Sequence, residues 1–254
     1  MLRGYYLAAN AMLNKQRTID TISNNVANTM TAGYKVDTAV QNTFEKELIL
    51  MYKGKTSKGG TIEYQFTEET STALTQGSFE FTERPLDLAI QGNVYFNLQT
   101  ASGDTVLSRN GQFSIDDEGY LYLPGGGRLL GKSGPIKVDK SDFAVTNNGD
   151  VYIDEKLTDS LALTYIADGN DIQKYGDSTF VLVDQNGEIG GLGEQIPADA
   201  EYAIIQGAFE TSNVDMAVEM TKVMAAQRSF EALAQAIKML DVINQKAASE
   251  IGKL

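Results

Sequence analysis

The chain has 254 residues, a formal net charge of −13, 42% hydrophobic residues, and neither cysteine nor histidine. The missing cysteines exclude disulfides, thiolate metal sites and cysteine nucleophiles, and the missing histidines exclude Ser-His-Asp triads and histidine-bound zinc. The length allows one large or two smaller folded units, and the hydrophobic content is sufficient for a core.

The charge is unevenly distributed along the chain. Residues 33–212 carry a net charge of −15, whereas residues 1–32 carry +2 and residues 213–254 are neutral overall. Because an acidic surface repels phosphate backbones and anionic lipids, we expect no nucleic-acid binding and no binding to a membrane surface. No apolar run approaches the ~18–20 residues of a membrane-spanning helix, so direct membrane insertion is not expected either.

The N-terminal segment predicts one helix. Residues 1–28 contain no proline, and Gly33 can take the positive φ that closes a helix or turn after Asn28. The helical pattern continues through Val26 without a small-residue cleavage site, which argues against a cleaved signal peptide. The predicted stripe of this helix has heptad spacing and comprises Tyr5, Ala9, Met12, Gln16, Ile19, Ser23 and Val26.

The middle of the chain predicts a β-rich unit. Residues 33–76 show neither a clear helical nor a clear strand pattern, and we interpret them as a linker or extension. From Gly77, short runs in which apolar and polar residues alternate are separated by turn residues. The predicted strands are Asp87–Ile90, Val94–Leu98, Thr105–Leu107, Gln112–Ile115, Tyr120–Leu123, Val151–Ile153, Leu161–Ile166, Phe180–Val183 and Ala203–Ile205.

The C-terminal segment predicts a second, longer helix. Ser212 and Asp215 are spaced as a capping box, and the helix is expected from about Asn213 to Ser249 or beyond. Asn244 lies either on the margin of its stripe or at a core position where an amide would set the register. The predicted stripe alternates steps of four and three residues and comprises Ala226, Phe230, Leu233, Ile237, Leu240, Asn244, Ala247, Ile251 and Leu254.

Together these segments predict an α+β fold in which an antiparallel pair of long terminal helices carries an inserted β-rich domain. The expected domains are a coiled-coil-like assembly domain of residues 1–32 and 213–254, a linker at 33–76 and an outer β domain at 77–212. Because two helices cannot cover both of their apolar faces, neighbouring subunits must complete the core, and isolated termini are expected to fray.

Two patterns suggest ligand chemistry. Residues Gly126 to Ser133 fit the G-x-x-x-x-G-K-[ST] phosphate loop, with Lys132 as its lysine, but Pro135 and a predicted strand follow where the loop needs a helix. The acidic clusters at 116–118 and 168–171 lack the spacing of a calcium-binding EF-hand. We interpret all three segments as turns and expect no metal, no cofactor and no enzymatic activity.

Three segments resemble one family. Residues 22–35, with Asn-Asn-Val-Ala-Asn followed by Thr-Ala-Gly-Tyr-Lys, are similar to the signature of bacterial flagellar rod and hook proteins. Residues 76–92 and 108–119 resemble the β-domain pattern of that family, and residues 207–215 with 227–231 resemble its C-terminal motif. These matches span nearly the whole chain in the family's order.

The resemblance implies a structural subunit of the flagellar basal-body rod, of proximal or distal type, that transmits torque and polymerises through its terminal helices. It implies a homo-oligomer that contacts other rod and hook subunits, and transit through the flagellar export apparatus to an extracytoplasmic basal body without a cleaved signal. By analogy, the assembly residues are Asn24, Asn25, Ala27, Asn28 and Gly33 at the turn, and Phe230, Leu233, Ile237, Leu240, Asn244 and Ile251 on the second helix.

Three alternatives remain open at this point. The chain could be a hook or hook-associated axial protein, a secreted effector or adhesin that uses the same export route, or a nucleotide hydrolase that uses Lys132. Bound nucleotide would favour the hydrolase, and intact flagella after deletion would favour the effector.

Overall fold

A computed structural model describes residues 2–43, 65–138, 143–166, 172–182, 197 and 201–251. It shows an α+β chain with a helix near each end and strands between them, which confirms the predicted fold class at that level. The chain divides into two compact units. The helical unit comprises Met1–Ala27, Asp37–Ala73 and Asp215–Leu254, and the β unit comprises Asn28–Val36 and Leu74–Val214.

The helical unit contains two helices and one β-hairpin. Helix α1 spans Leu2–Ala27 and helix α2 spans Met216–Ile251, whose 36 residues make it about 55 Å long. Strands β1 (Asp37–Thr43) and β2 (Gln65–Thr72) pair antiparallel. Residues 44–64 of the predicted linker lie outside the described residues.

The cap of α2 differs from the predicted one. The Asp215 carboxylate accepts hydrogen bonds from the backbone N–H groups of Ala217 (2.9 Å) and Val218 (3.2 Å), which makes Asp215 the N-cap. The Ser212 hydroxyl accepts a bond from the Val214 N–H instead. The predicted capping box is therefore wrong, and the helix starts three residues later than expected because Asn213 bonds to other parts of the chain, as described below.

The buried face of α1 also differs from the predicted stripe. Ala9, Gln16 and Ser23 are exposed, and the less exposed line runs one residue earlier along the helix. Small residues on this line allow close packing, since the distance between helices depends on the side chains at their contact. The less exposed line comprises Gly4, Ala8, Ala11, Lys15, Thr18, Ile22 and Asn25.

The β unit is built from short antiparallel strands. Its largest sheet has the order β14-β15-β6-β5-β9-β8-β7, with β13 also paired to β5, and the smaller groups are β10-β11-β12, β16-β4 and β17-β3. The strands are β3 (Phe79–Phe81), β4 (Leu88–Gln91), β5 (Val94–Gln99), β6 (Thr105–Ser108), β7 (Ser114–Ile115), β8 (Leu121–Leu123), β9 (Gly127–Leu129), β10 (Phe143–Val145), β11 (Asp150–Ile153), β12 (Lys156–Ser160), β13 (Leu163–Tyr165), β14 (Ile172–Lys174), β15 (Thr179–Leu182), β16 (Ala203–Gln206) and β17 (Ala208–Glu210).

The core of the β unit lies on both faces of β5. Phe96 and its neighbours on one face join the larger apolar cluster, in which Phe96 meets Phe113 edge to face at 5.2 Å between ring centroids. Tyr95 on the other face joins a smaller cluster with Phe180. Successive side chains of one strand thus fill two clusters, as the two-residue period of a strand requires.

Nine predicted strands are confirmed, since each overlaps an observed strand. The strand predicted after Pro135 is wrong, because Pro135 and Lys137 form only isolated bridges to Leu130 and Tyr120. The segment Gly126–Ser133 forms strand β9 and a turn rather than a phosphate loop, and the Ile136 N–H donates to the Leu129 carbonyl. The acidic cluster at 116–118 forms a turn in which the Asp116 carboxylate accepts from the backbone of Glu118 and Tyr120. The cluster at 168–171 lies outside the described residues.

Candidate assembly site

Three distant segments of the β unit converge on one buried cluster of charges. Glu210 is the last residue of β17, where it pairs with Phe79 of β3, Arg109 directly follows β6, and Lys35 follows the turn after α1. The three side chains are buried, with exposed fractions of 0% for Lys35 and Glu210 and 2% for Arg109. We call Lys35, Arg109 and Glu210 the charge cluster.

Glu210 is the centre of this cluster. Its Oε1 accepts from Lys35 Nζ at 2.6 Å and from the Gly77 N–H at 2.8 Å, and its Oε2 accepts from Arg109 Nη1 at 3.2 Å. Lys35 Nζ also donates to the Thr75 carbonyl at 2.8 Å. Buried carboxylates are retained only with such partners, because an unpaired buried charge is costly.

Arg109 has further contacts that fix its position. Its Nη2 donates to the Gly92 carbonyl at 2.5 Å, and its guanidinium lies 4.4 Å from the centroid of the Tyr95 ring. Its Nε is buried and has no hydrogen-bond partner among the described residues. The planar group therefore joins β6 to two other parts of the β unit.

The electrostatics of the cluster are asymmetric, because two cations surround one carboxylate. Burial lowers the pKa of Lys35 from its ordinary value of 10.5, and Arg109 lowers it further, although the neighbouring Glu210 opposes both effects. Burial also raises the pKa of the Tyr95 phenol above 10.0. Desolvation thus disfavours the charged form of both groups.

Gly33 occupies the turn before the charge cluster. Its φ is +67°, and a Cβ atom at this position would lie 2.4 Å from the Asn110 nitrogen. Its N–H donates to the Glu210 carbonyl at 2.8 Å. The predicted positive φ is confirmed, and only glycine fits because both the backbone conformation and the close approach exclude a side chain.

Asn213 forms hydrogen bonds that join the last segment of the β unit to its first segment, residues 28–36. Its Oδ1 accepts from the Val36 N–H at 2.7 Å, and its backbone N–H donates to the Tyr34 carbonyl at 3.3 Å. Its Nδ2 donates to the carbonyl of Thr75 at 3.0 Å. These bonds explain why Asn213 does not start the second helix.

The helical unit has a separate polar contact at Asn25. The Asn25 Oδ1 accepts from the Asp37 N–H at 3.0 Å, and its Nδ2 donates to the Asp37 carbonyl at 2.7 Å and to Glu219 Oε2 at 3.2 Å. Glu219 Oε1 pairs with Lys222 Nζ at 2.6 Å. Asn25 and Glu219 are both buried.

The other predicted site residues are spread over the chain. Asn24 and Ala27 are exposed, and the half-buried Asn28 accepts a bond from the Thr31 hydroxyl at 3.0 Å. The side chain of Ile251 lies outside the described residues. The remaining predicted residues of α2 are all half-buried on one line: Phe230, Leu233, Ile237, Leu240 and Asn244.

Sequence reasoning missed the charge cluster and Glu219. Lys35, Arg109 and Glu210 each lie in one of the three family-like segments, and each is a charged residue beside residues that the fold buries. That pattern was a usable signal, because a charge within a buried strand end requires an opposite charge nearby. The same signal applies to Glu219, because it lies seven residues before Ala226, the first residue of the predicted α2 stripe.

A surface cleft of about 760 Å³ includes Gly126 and Arg128 of the segment that resembles a phosphate loop. Arg128 pairs with Asp116 at 2.7 Å and with Glu118 at 2.8 Å, so its charge is already neutralised. Within the described residues, no group of three or more acidic side chains is placed to hold a metal ion. The cleft therefore offers little attraction for a phosphate.

The helices of the helical unit leave large apolar side chains exposed. Both helices contribute, and Tyr6, Met239 and Ile243 are exposed by 63%, 61% and 56%. No helix in the described part of the chain is both long enough and apolar enough to cross a bilayer. The other exposed large apolar residues of the two helices are Leu7, Leu13, Met216, Val218, Met220, Met224 and Val242.

Family comparisons match three parts of the chain. Residues 6–35 match the flagella basal body rod protein family, residues 89–154 match the D1 domain of the flagellar hook protein FlgE/F/G, and residues 205–250 match the C-terminal part of the flagellar basal body rod FlgEFG protein. Each range contains one member of the charge cluster.

Individual relatives match over nearly their whole length. The chain is 30% identical to the flagellar hook-basal body complex protein FlhO of Bacillus subtilis, covering 100% of both chains. It is 29% identical to the flagellar basal-body rod protein FlgF of Mesorhizobium japonicum, covering 97% of each, and 28% identical to FlgG of Bacillus subtilis, covering 97% and 98%. The chain therefore belongs to the family of flagellar basal-body rod proteins.

Proposed function

We propose that this chain is a structural subunit of the flagellar basal-body rod and polymerises through its terminal helices. The observation that carries the proposal is the incomplete core of the helical unit. Among the described side chains of α1 and α2, only five are buried, and three of these are polar: Asn14, Ile22, Asn25, Glu219 and Ala226. Helices with so little buried apolar surface are marginal alone and are stabilised by neighbours.

The two helices of one chain run antiparallel in this proposal. Asn25, near the end of α1, bonds to Glu219, near the start of α2. A Cβ atom on Gly4, near the start of α1, would lie 3.7 Å from the Leu240 Cδ1 atom, much further along α2. Both contacts support opposite directions for the helices.

The proposed domains follow the sequence prediction. In this proposal residues 1–32 and 213–254 form the assembly domain, residues 33–76 form the extension and residues 77–212 form the outer β domain, although residues 28–36 and 213–214 pack within the β unit. The half-buried line of α2, with Phe230 and Leu240, stabilises the pair, and the exposed apolar residues contact other subunits. Ile243 and Met239 supply the exposed area for such contacts.

The partners are further copies of this chain and other rod or hook subunits, and the role is structural rather than enzymatic. Transit through the flagellar export apparatus delivers the subunit to the extracytoplasmic basal body. The matches to relatives named as rod proteins and as a hook-basal body complex protein support this assignment. The subunit has a mechanical role, because rigid packing of its helices transmits torque along the axis of the rod.

The test is an in-frame deletion in the source bacterium, followed by electron microscopy of basal bodies. We expect loss of hooks and filaments, with rescue by the wild-type copy but not by Leu240→Asp or Ile243→Asp, since a charge in a closed helix interface is left unpaired. Gln245→Asp changes an exposed polar residue on the same helix and serves as the control that rescues. Intact hooks in the deletion strain would contradict the proposal.

A further inference from the structure

The apolar residues on the less exposed line of α2 do not define a unique alignment against α1. The less exposed line of α2 passes through Glu219, Val223, Ala226, Phe230, Leu233, Ile237, Leu240 and Asn244, and it repeats every seven residues. The corresponding line of α1 has the same repeat. Sliding α2 by seven residues, about 10 Å, therefore replaces one apolar side chain by another at most positions of its line, and apolar contacts discriminate poorly between such registers.

The polar contact at Asn25 does distinguish the registers. Asp37 holds both the Oδ1 and the Nδ2 of Asn25, so the amide cannot turn to follow a displaced partner. Glu219 lies on the line of α2 that packs in this unit, and only 3% of it is exposed. Its Oε2 accepts from Asn25 at 3.2 Å.

In the antiparallel pair, the contacts Asn25 to Glu219 and Gly4 to Leu240 belong to one register, because the two residue numbers add to the same value in both. A slip by seven residues in one direction places Asn25 opposite Ala226 and carries Glu219 beyond the end of α1. A slip in the other direction places Glu219 opposite Thr18, whose hydroxyl already donates to the Asn14 carbonyl at 2.8 Å. Either slip breaks the bond between the Asn25 amide and the Glu219 carboxylate, and the second also leaves the carboxylate packed against α1 without that partner, which is costly.

We propose that Asn25 and Glu219 form a polar lock that fixes the register of α1 against α2. This inference rests on the antiparallel pairing in the proposed function. The polar pair excludes the slipped alignments that the heptad repeat would otherwise allow, as a single buried polar residue does in coiled coils. A subunit with a fixed register presents the same exposed apolar residues to every neighbour.

The absence of cysteine from the chain permits a direct test on the purified full-length protein. Gly4→Cys is combined with Leu240→Cys to report the native register, and with Leu233→Cys or Ala247→Cys to report the two slipped registers. A short thiol-to-thiol cross-linker is added at low protein concentration, and intrachain products are quantified by mass spectrometry after chains linked to each other are removed by size. The three cysteine pairs are compared with one another within each background, and each pair is also compared with itself across backgrounds.

Four backgrounds are compared. In the wild type we expect the native cross-link to exceed either slipped cross-link by at least tenfold. Glu219→Leu keeps an apolar line but removes the lock, so we expect the slipped products to rise to within about threefold of the native one. Glu219→Gln retains an oxygen that accepts from Asn25 and should behave as the wild type, as should Glu231→Leu, which changes an exposed acid on the same helix.

Slipped products that stay low in Glu219→Leu would overturn the polar lock, and so would an equal rise in Glu219→Gln or Glu231→Leu. A wild-type chain without a preferred cross-link would overturn both the lock and the antiparallel pairing. The deletion strain tests the rod role separately, since a correct cross-link pattern together with intact hooks would preserve the lock and contradict only the function.

Discussion

The β unit and the helical unit differ in how much of their large apolar side chains is exposed. The β unit places residues such as Phe96, Phe113 and Phe180 at zero exposure within its own clusters. The helical unit leaves Tyr6, Met239 and many similar side chains exposed. From this difference we expect the β unit to be stable by itself, and under the proposed function the helical unit depends on the subunits that pack against it.

The two units also use buried polar groups differently. In the β unit, the charge cluster joins three segments that are far apart in the sequence, and Glu210 holds two cations. In the helical unit, Asn25 and Glu219 form a smaller polar contact between two helices. Loss of the first should weaken a folded core, and loss of the second should change an alignment.

The largest expected effect in the β unit comes from Glu210→Ala. Removing the carboxylate leaves Lys35 and Arg109 buried without an anion, and we expect the free energy of unfolding to fall by ~3–5 kcal/mol. Urea unfolding followed by tyrosine fluorescence measures it, because the chain contains no tryptophan. Glu80→Ala on the adjacent strand β3 removes an exposed acid and should change stability by less than ~0.5 kcal/mol. Similar losses in both variants would contradict the central role of Glu210.

Gly33→Ala should have the next largest effect. The left-handed backbone costs a non-glycine residue ~1–2 kcal/mol, and the contact of the new Cβ atom with Asn110 adds ~1–3 kcal/mol of overpacking. Gly103→Ala is the matched control, because Gly103 has a φ of +95° but nothing within 4 Å of its Cβ position. The difference between the two variants in urea unfolding isolates the cost of the close approach, and equal losses would show that Asn110 moves aside.

Asp215→Ala tests the helical unit through the cap of α2. We expect a loss of ~1 kcal/mol of helix stability, since the first N–H groups lose their acceptor. Thermal melting followed by circular dichroism at 222 nm measures this change. Ser212→Ala should leave the helix signal unchanged, because Ser212 bonds to Val214 and not to the helix. A larger effect from Ser212→Ala would restore the capping box that the sequence predicted.

The smallest predicted effect is a change in the free energy of unfolding that occurs only at alkaline pH. The pKa of Tyr95 is raised above 10.0 in the folded protein, so its contribution to stability is complete below pH 10 and is lost as the pH rises through the folded pKa. Lys35 has the opposite sign, because its lowered pKa makes its contribution rise with pH up to 10.5. Tyr95→Phe removes only the first effect.

Unfolding free energies of the wild type and Tyr95→Phe, measured between pH 8 and pH 11, check this prediction. The difference between the two proteins should be constant up to about pH 10 and then shift against the wild type by at most ~1.4 kcal/mol per pH unit. A constant difference up to pH 11 would show that the phenol is not buried as strongly as its 2% exposure indicates.

The strands were predictable because their side chains alternate, and the turn at Gly33 was predictable because few residues other than glycine adopt a positive φ. The buried face of α1 was predicted one residue too late in the sequence, because large apolar residues such as Tyr5 outweigh small ones such as Ala8 in a periodicity count. Close helix packing favours the small residues, and only the partner helix reveals that preference.

The cap of α2 and the pairing of residues within the charge cluster were not predictable, for a different reason. Ser212 and Asp215 are both good N-cap residues, and the choice depends on Asn213, whose bonds to Val36 and Thr75 hold the chain in a non-helical conformation. Lys35 and Glu210 are 175 positions apart, so their contact depends on the complete fold. Local pattern indicates that a charge beside buried residues needs a partner, but it contains no information on which residue that partner is.

The bonds of Asn213 to Thr75 have an evolutionary consequence. They hold the point where the chain re-enters the β unit beside the point where it finally leaves, so residues 75–213 have the geometry of an insertion with adjacent ends. A lineage can therefore enlarge, shrink or exchange the residues between these points without changing the spacing between the ends. The surface of the β unit can diversify while the sequences of the terminal helices stay under separate selection.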